Sequence, residues 1–244
     1  MTAIGIIGSQ GRMGQAIKVE LIAQGLTHAG GVDRDEGNLS ELIAASDVLI
    51  DFSAPAALKE NLEDCMVAKK PIVIGTTGLD ETHHHMIDAA SHSISVLQTG
   101  NTSLGVNLLS ALVEEAARSL GDDWDIEIVE MHHRHKVDAP SGTALLLGEA
   151  AARGRNIDLP SNSERGRDGM TGQRKQGAIG FAALRGGSVA GDHQVIFATE
   201  GERIEIGHRA ENRSIFARGA IKAALWLAEQ PAAGRYDMKS VLGL

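Results

Sequence analysis

The sequence of 244 residues contains few aromatic side chains: four Phe, two Trp and one Tyr, or 3% of the chain. Proteins that bind single-stranded nucleic acid without sequence preference stack bases on repeated aromatic rings, and this chain lacks those rings. Its formal net charge of −9 also argues against a general binder of nucleic acid or of anionic membranes. We therefore expect an aliphatic core and neither nucleic acid nor a membrane as a partner.

Cysteine and long apolar runs are scarce as well. Cys65 is the single cysteine, which excludes an internal disulfide and any cysteine-based zinc or iron–sulfur cluster. No window offers about 18 uninterrupted apolar residues for a transmembrane helix, and the N-terminal segment lacks the pattern of a signal peptide. These features lead us to expect a cytoplasmic protein.

Short apolar runs alternate with helical patterns over roughly the first 100 residues. The strand-like runs are residues 3–8, 48–52, 72–75 and 94–98, with a weaker candidate at 28–32, whose glycines lower strand propensity. The helical patterns are residues 13–24, 55–68 and 81–90. Because strands that alternate with helices form parallel sheets covered on both faces, we predict an α/β fold with an N-terminal, Rossmann-like, doubly wound parallel sheet.

The pattern changes in the second half. Helices are predicted at 104–120 and 142–152, and strands at 125–131, 178–184, 194–199 and 203–208. Residues 160–177 are rich in glycine and charge without periodicity, which predicts a long mobile loop. Strands without intervening helices favour a mixed sheet. We therefore expect a smaller α+β domain at 104–212, and a first domain at 1–103 and 213–244, to which a last helix at 214–229 returns.

A glycine turn follows the first predicted strand, and a helix follows the turn. Gly8 permits the turn, Gly11 permits close approach of a pyrophosphate, and Gly14 permits close packing of helix and strand. Asp33 follows Gly14 at the spacing of an acidic residue that binds the adenosine ribose, and the guanidinium of Arg34 could bind a 2′-phosphate. The pair predicts use of both NADH and NADPH. A βαβ unit that binds no nucleotide, with solvated charges at 33 and 34, remains the alternative.

Small polar residues follow two further strands of the predicted parallel sheet, at residues 75–78 and 99–102. The carboxyl ends of parallel strands form the ligand crevice of such folds. Small residues at that edge leave room for the nicotinamide half of a dinucleotide, although each segment alone could be an ordinary loop.

Residues 132–136 form a dense group of proton-exchanging and cationic side chains, His-His-Arg-His-Lys. Ser141 then caps a predicted helix, whose first amides, from Gly142 and Thr143, would face an anion such as a carboxylate. This combination suits a small dicarboxylate that accepts a hydride and a proton. Three histidines could also suggest zinc, but no carboxylate completes a familiar ligand set and Lys136 would repel a cation. We therefore expect no metal.

At these residues the sequence resembles the 4-hydroxy-tetrahydrodipicolinate reductase family, also called dihydrodipicolinate reductases, of lysine and diaminopimelate biosynthesis. The matching segments are residues 8–14 (GSQGRMG), 74–78 (IGTTG), 130–144 (EMHHRHKVDAPSGTA), 167–172 (RDGMTG) and 177–181 (GAIGF). The resemblance covers essentially the whole chain. It implies hydride transfer from NADPH or NADH to a cyclic unsaturated dicarboxylate, which yields tetrahydrodipicolinate.

The resemblance also implies roles for individual residues. His132 would donate or accept a proton, Lys136 would donate one, and His133, Gly142 and Thr143 would bind substrate. It implies a homotetramer assembled through the sheet of the second domain. The residues it assigns to the dinucleotide are Gly8, Ser9, Gln10, Gly11, Arg12, Met13, Asp33, Arg34, Gly75, Thr76, Thr77, Thr99, Gly100, Asn101 and Thr102.

The chain departs from the family pattern in two places. The stretch between Asp33 and Asp47 is short, and Thr102 stands where many members have Phe. Two roles also stay open: Lys136 could act only as an electrostatic clamp on a carboxylate, and His132 could orient substrate without transferring a proton. Another NAD(P)-dependent reductase of small anions, or a module that only senses a dinucleotide, would share the glycine turn but has no need for the segment 132–143.

Overall fold

A computed structural model describes all residues, 1–244, and divides them into two compact units. The first comprises Met1–Leu104 and Ser214–Leu244, and the second comprises Gly105–Arg213. No helix is both long and apolar enough to cross a membrane. In chain order the helices and strands are β1 (Ala3–Ile7), α1 (Arg12–Ala23), β2 (Thr27–Val32), α2 (Leu39–Ala45), β3 (Val48–Asp51), α3 (Leu58–Ala68), β4 (Ile72–Ile74), α4 (Glu81–Ser91), β5 (Ser95–Gln98), α5 (Leu104–Leu120), β6 (Asp125–His132), α6 (Gly142–Gly154), α7 (Leu159–Asn162), β7 (Ser163–Arg165), β8 (Ile179–Arg185), β9 (Asp192–Thr199), β10 (Glu202–Arg209), α8 (Ser214–Ala228), β11 (Gly234–Tyr236) and α9 (Met238–Leu242).

The first unit is built on a six-stranded sheet with the order β11-β5-β4-β3-β1-β2, in which every pair is parallel. The chain runs outward from β1 to β2 and then crosses to β3 on the other side of β1. Strand order therefore reverses at β1, and the crevice outside the carboxyl ends of strands at such a point is where open α/β sheets bind ligands. The predicted Rossmann-like parallel sheet is confirmed.

Aliphatic side chains fill both faces of this sheet. Ile4, Ile6 and Ile50 pack with residues of α1, α8 and α9 on one face, and Leu49 and Ile74 pack with α2, α3 and α4 on the other. The four inner strands β1, β3, β4 and β5 are buried on both sides, which is why they are nearly continuous apolar runs in the sequence. With few rings in the sequence, the aliphatic core that we predicted is what covers the sheet.

The second unit contains a five-stranded mixed sheet with the order β10-β9-β6-β8-β7. Strand β6 pairs parallel with β8 and antiparallel with β9, and β9 continues into the β10 hairpin. Every second residue of β6 is buried, and two of them, Ile126 and Ile128, pack against α5 and α6 around Val195 and Phe197. The predicted α+β unit with a mixed sheet is confirmed.

The prediction of a loop without secondary structure at 160–177 is wrong for the first residues of that segment. Asp158 caps the short helix α7, and β7 then joins the sheet edge beside β8. Further along, the Arg174 guanidinium donates hydrogen bonds to Asp125 and Glu127 and to the carbonyl oxygens of Ile126 and Ala178. Elements this short carry no periodic signal, so the sequence could not predict them.

Candidate active site

The glycine turn lies at the carboxyl end of β1, where the sheet order reverses. Gly8 has φ +81°, a left-handed conformation that strains other residues, and a Cβ there would lie 2.6 Å from the carbonyl oxygen of Phe52. A Cβ on Gly14 would lie 2.3 Å from the Gly8 carbonyl oxygen, so helix α1 packs directly on the turn. Each glycine is required where the sequence pattern places it.

The N-terminus of α1 has no side-chain cap. Gly11 is the N-cap residue, no side chain accepts a hydrogen bond from the first turn, and that turn contains no acidic residue. The first amides of a helix lack partners within the helix and carry positive partial charge. The helix start therefore presents uncapped amides that can bind an anion, and binding of a dinucleotide pyrophosphate there stays a prediction.

Asp33 lies at the end of β2, beside the glycine turn. One carboxylate oxygen accepts a hydrogen bond from the Arg34 amide at 2.8 Å and the other accepts one from the Gln10 amide at 2.9 Å. These two bonds, in that order, lower the pKa of Asp33 below its usual value. The carboxylate thus fixes the turn to the second strand, while the Arg34 side chain is exposed to solvent.

The segment 75–77 follows β4 at the same sheet edge. A Cβ on Gly75 would lie 2.2 Å from the ring of Phe52, so only glycine allows that ring to lie against the backbone. Thr76 is buried with its Oγ1 3.3 Å from Asp51 Oδ1, and Thr77 is exposed. Asp51 ends β3 and is fully buried, and burial raises the pKa of its carboxyl group. Our sequence analysis missed Asp51, although an acidic residue at the end of an apolar run was a signal.

The segment 99–102 follows β5. The Thr99 hydroxyl accepts a hydrogen bond from the Asn101 amide at 3.1 Å and donates one to the Asn101 carbonyl at 2.8 Å, which closes a tight loop beside exposed Gly100. Thr102 is different: its side chain is buried and donates to the Phe216 carbonyl at 2.7 Å. The structure therefore places Thr99 to Asn101 at the crevice edge and directs the Thr102 side chain at α8.

In the second unit, a buried carboxylate orients the histidine at the end of β6. Glu130 and His132 are two residues apart and face the same side of the sheet. The Nδ1 atom of His132 lies 2.6 Å from one Glu130 oxygen, and the Arg185 guanidinium donates to both oxygens at 2.8 Å. Burial alone would raise the pKa of Glu130, but the hydrogen bonds from Arg185 and His132 outweigh it and lower the pKa.

A second buried histidine, His193 of β9, lies beside the first. The two rings meet edge to face with centroids 5.0 Å apart, and the Nε2 atom of His193 lies 2.9 Å from the Ser141 hydroxyl oxygen. Burial, with the nearby positive charge of His132, lowers the pKa of His193 to about 4, so this ring is neutral at pH 7. Our sequence analysis missed both Glu130 and His193 as site residues. His193 and its partner Ser141 are 52 residues apart, whereas Glu130 lies only two residues before His132 on the same strand face.

The cationic segment after β6 forms an exposed turn. The Lys136 ammonium lies 2.9 Å from an Asp138 oxygen, and this contact lowers the pKa of Asp138. His133 is half-buried, and its amide donates to the Val189 carbonyl at 2.8 Å. Burial and the positive charge of Arg213 lower the pKa of His133, which favours a neutral ring that can still donate a hydrogen bond.

Helix α6 begins beside this turn. The Ser141 hydroxyl caps the helix by accepting the Ala144 amide at 3.1 Å, while the Ser141 amide donates to Glu130 at 3.1 Å. Gly142 and Thr143 form the first turn, and a Cβ on Gly142 would meet no atom within 4 Å. The second unit therefore brings His132, His133, Lys136 and an accessible helix N-terminus together at one end of the sheet. No group of three or more His, Cys, Asp or Glu side chains is arranged to hold a metal ion.

Comparison with known proteins gives matches across both units. A family model described as "Dihydrodipicolinate reductase, N-terminus" matches residues 2–102, and one described as "Dihydrodipicolinate reductase, C-terminus" matches residues 105–242. The chain is 61% identical over 247 residues to a 4-hydroxy-tetrahydrodipicolinate reductase of Zymomonas mobilis subsp. mobilis, covering 99% of this chain and 97% of that one. It is 52% identical to the protein of that name from Parvibaculum lavamentivorans, covering 98% and 97%.

The fold is similar to that of a solved, dipicolinate-bound dihydrodipicolinate reductase from Paenisporosarcina sp. TG-14. The two share 22% sequence identity with a TM-score of 0.77 over 97% of each chain. A probable dehydrogenase from Thermotoga maritima is also similar, with 13% identity and a TM-score of 0.65 over 98% of this chain and 92% of that one.

Proposed function

The chain belongs to the dihydrodipicolinate reductase family, and from that premise we propose how its own residues act in the NAD(P)H-dependent reduction of 4-hydroxy-tetrahydrodipicolinate to tetrahydrodipicolinate. This is a step of lysine and diaminopimelate biosynthesis. Family models that match both units over nearly the whole length carry the assignment. The cytoplasm, which supplies reduced nicotinamide dinucleotides, is the compartment that we propose for it.

We propose that the first unit binds the dinucleotide. When bound, the reduced nicotinamide supplies the hydride. The uncapped start of α1 and the glycine turn would bind the pyrophosphate, and the segments at 75–77 and 99–101 would border the nicotinamide half. We propose that Thr102 contributes by fixing its loop against α8, since its hydroxyl is already bonded there. The full set is Gly8, Ser9, Gln10, Gly11, Arg12, Met13, Asp33, Arg34, Gly75, Thr76, Thr77, Thr99, Gly100, Asn101 and Thr102.

The adenosine end would accept both NADPH and NADH. The Asp33 carboxylate lies where a ribose hydroxyl can donate to it, and the exposed Arg34 guanidinium can turn towards a 2′-phosphate. An arginine that is not committed to another carboxylate can bind the phosphate of NADPH without excluding NADH. The proposal is therefore dual use, with Arg34 as the source of any preference for NADPH.

The second unit would bind the dicarboxylate substrate. His133 offers a ring N–H, and the first turn of α6 at Gly142 and Thr143 offers backbone amides and the positive end of the helix dipole. Since a Cβ on Gly142 would meet nothing nearby, a carboxylate can approach the backbone there. The positive charges of Lys136 and Arg134 add an attractive field, although the whole chain is acidic.

His132 and Lys136 are the groups that we propose for proton handling. Conversion of the 4-hydroxy substrate to tetrahydrodipicolinate also releases the hydroxyl group as water. Hydride addition to the conjugated ring that remains leaves negative charge, and a positioned imidazolium or ammonium can neutralise it by donating a proton. The Lys136 ammonium is already held in place by Asp138 at 2.9 Å. His132 is held through Nδ1, which leaves Nε2 as the atom that can exchange a proton.

We also propose that the enzyme assembles as a homotetramer through the open face of the second sheet. Helices α5 and α6 cover one face, and the other carries Val129, Met131, Leu184 and Ile196 at alternate strand positions. Leu184 is 51% exposed in the single chain. This apolar strip, which is flanked by polar residues such as Gln194 and Glu205, favours burial against another copy. Sedimentation at micromolar concentration should give four times the chain mass of 25.7 kDa; a monomer mass would contradict the proposal.

The reaction itself is tested with the purified protein and freshly made substrate. A synthase that condenses pyruvate with aspartate semialdehyde generates the unstable substrate in the cuvette, and loss of nicotinamide absorbance reports turnover. We expect oxidation of NADPH and NADH only when all components are present. No oxidation of either dinucleotide would overturn the proposed function.

A further inference from the structure

The Glu130 side chain lies at the centre of four hydrogen bonds that connect separate elements of the second unit. It is 1% exposed, and all four groups that contact it are donors. They are the ring nitrogen Nδ1 of His132, the two terminal nitrogens of Arg185 and the amide of Ser141. Arg185 balances the charge of the buried carboxylate, and His132 and Ser141 satisfy its remaining lone pairs, so one side chain ties the imidazole to the helix start.

The bond to His132 fixes which of the two ring nitrogens is left for other contacts. A donor at Nδ1 pointing at a carboxylate places the proton of the neutral ring on Nδ1 and leaves Nε2 available. The backbone of Gly191 lies against the other side, where a Cβ would come within 3.0 Å of Nε2. The ring is thus held between a carboxylate on one side and a glycine on the other.

The bond to Ser141 fixes the start of helix α6. Ser141 is buried, its amide is bound by Glu130, and its hydroxyl caps the helix and contacts His193. The same carboxylate therefore sets the position of the imidazole and of the helix N-terminus that begins with Gly142. Arg185 also donates to the backbone carbonyl of Asp138 at 2.7 Å, and the side chain of the same Asp138 contacts Lys136.

We propose that Glu130 is the positioning residue of this site: its carboxylate orients His132 for proton exchange at Nε2 and holds the substrate-binding end of α6. The proposal rests on the proposed function for its kinetic consequences. Its structural content, the proton on Nδ1 of His132, does not depend on that function.

Glu130→Gln is the sharpest substitution. The glutamine side chain has one acceptor oxygen and one NH₂ donor group, so it cannot accept from all four donors. We expect kcat to fall roughly 100-fold, because proton transfer from a misoriented group loses most of its benefit. The KM for the dicarboxylate should rise as α6 shifts, while the Kd for NADPH, measured by fluorescence titration, stays at the wild-type value.

Glu20→Gln is the matched control. Glu20 is also a buried glutamate, 9% exposed, paired with an arginine at 2.9 Å, but it lies on α1 and contacts no proposed site residue. We expect wild-type kcat and KM from this variant. An E130Q enzyme with the same kcat and KM as wild type, alongside an active wild type, would overturn the positioning role.

A measurement on the wild-type protein tests the orientation of His132 even if the E130Q variant does not fold. Two-bond ¹⁵N–¹H NMR correlations of histidine-labelled protein, with the His132 signals assigned by His132→Asn, report which ring nitrogen carries a proton. We expect a proton on Nδ1 of His132 at pH 8, and a bare Nδ1 would overturn the proposal. If wild-type protein shows that proton but oxidises no NADPH with substrate, the proposed function fails and the ring orientation stands.

Discussion

The neutral, buried ring of His193 predicts that the second unit loses stability in mild acid. Its pKa is about 4 in the folded protein, against an ordinary value of 6.5. Between these two values the unfolded chain binds a proton at this site and the folded chain does not. The free energy of unfolding therefore falls as the pH falls from 6.5 towards 4, and this contribution is fully present above pH 6.5.

The size of the effect follows from the difference between the two pKa values. Each pKa unit corresponds to about 1.4 kcal/mol, so the full titration removes about 3.5 kcal/mol. That is a large part of the 5–15 kcal/mol that typically stabilises a domain. Most of the loss should have occurred at pH 4.5, where the half-buried His208, whose pKa desolvation also lowers, adds in the same direction.

Urea unfolding followed by Trp124 fluorescence isolates the second unit. Trp124 is 8% exposed in its core, and Trp226, which packs on Tyr236 in the first unit, can be replaced by Phe to remove its emission. The comparison is between this background and the same protein with His193→Gln, at fixed protein concentration from pH 7.5 to 4.5.

We expect the background protein to lose about 2.5 kcal/mol more than the His193→Gln protein over this pH range, since pH 4.5 stops short of the full titration. Loss of the bond to Ser141 lowers the free energy of unfolding of His193→Gln by the same amount at every pH. It does not affect the comparison, because the slope of that free energy against pH is what is measured. The exposed His85, replaced by Gln, is the matched control and should follow the background. Parallel pH curves for the background and His193→Gln proteins would show that the buried His193 ring does not cause the loss of stability in acid.

Three further substitutions test separate parts of the structure. In Gly14→Ala the new methyl group would lie 2.3 Å from the Gly8 carbonyl oxygen, so α1 must move off the turn and kcat/KM for NADPH should fall on the order of 100-fold; an unchanged value would contradict the placement of the dinucleotide. Arg34→Ala should raise the KM for NADPH roughly tenfold through the loss of a charge-assisted hydrogen bond and leave that for NADH unchanged, whereas equal changes would exclude Arg34 as the phosphate ligand. Phe197→Ala empties a fully buried position and should cost about 3–5 kcal/mol in urea unfolding, and a cost below about 1 kcal/mol would contradict its place in the core.

Much of the fold could be predicted because its elements carry local signals. The buried strands of the first unit are apolar runs, and the alternation in β6 gives its buried face. Strand β2 was the weak case, since Gly30 and Gly31 lower strand propensity. The structure explains one of them: a Cβ on Gly31 would lie 2.5 Å from Cβ of Ser9, so the glycine lets β2 approach the glycine turn. The short elements α2 and β11 were missed because seven and three residues are too few for a periodic signal.

The candidate site also contains some residues that could be predicted from the sequence and others that could not. Segments in which binding groups are contiguous, such as 132–136 and the N-cap at Ser141, could be predicted from spacing alone. His193 could not, because its contact with Ser141 joins residues 52 positions apart. The alternation of β6 puts Glu130 and His132 on one face, so that pair could have been predicted, but the bonds from Arg185 to Glu130 could not. A lone histidine on an apolar strand face carries no information about its partner.

In the proposed reaction the second unit performs the proton chemistry while the first unit binds the dinucleotide, and Lys136→Ala separates these two roles. Turnover with the coupled synthase and the Kd for NADPH are measured on the same preparation. We predict a fall in kcat on the order of 10²–10⁴ with NADPH affinity nearly unchanged. Loss of NADPH binding with little change in turnover at saturating NADPH would contradict the account.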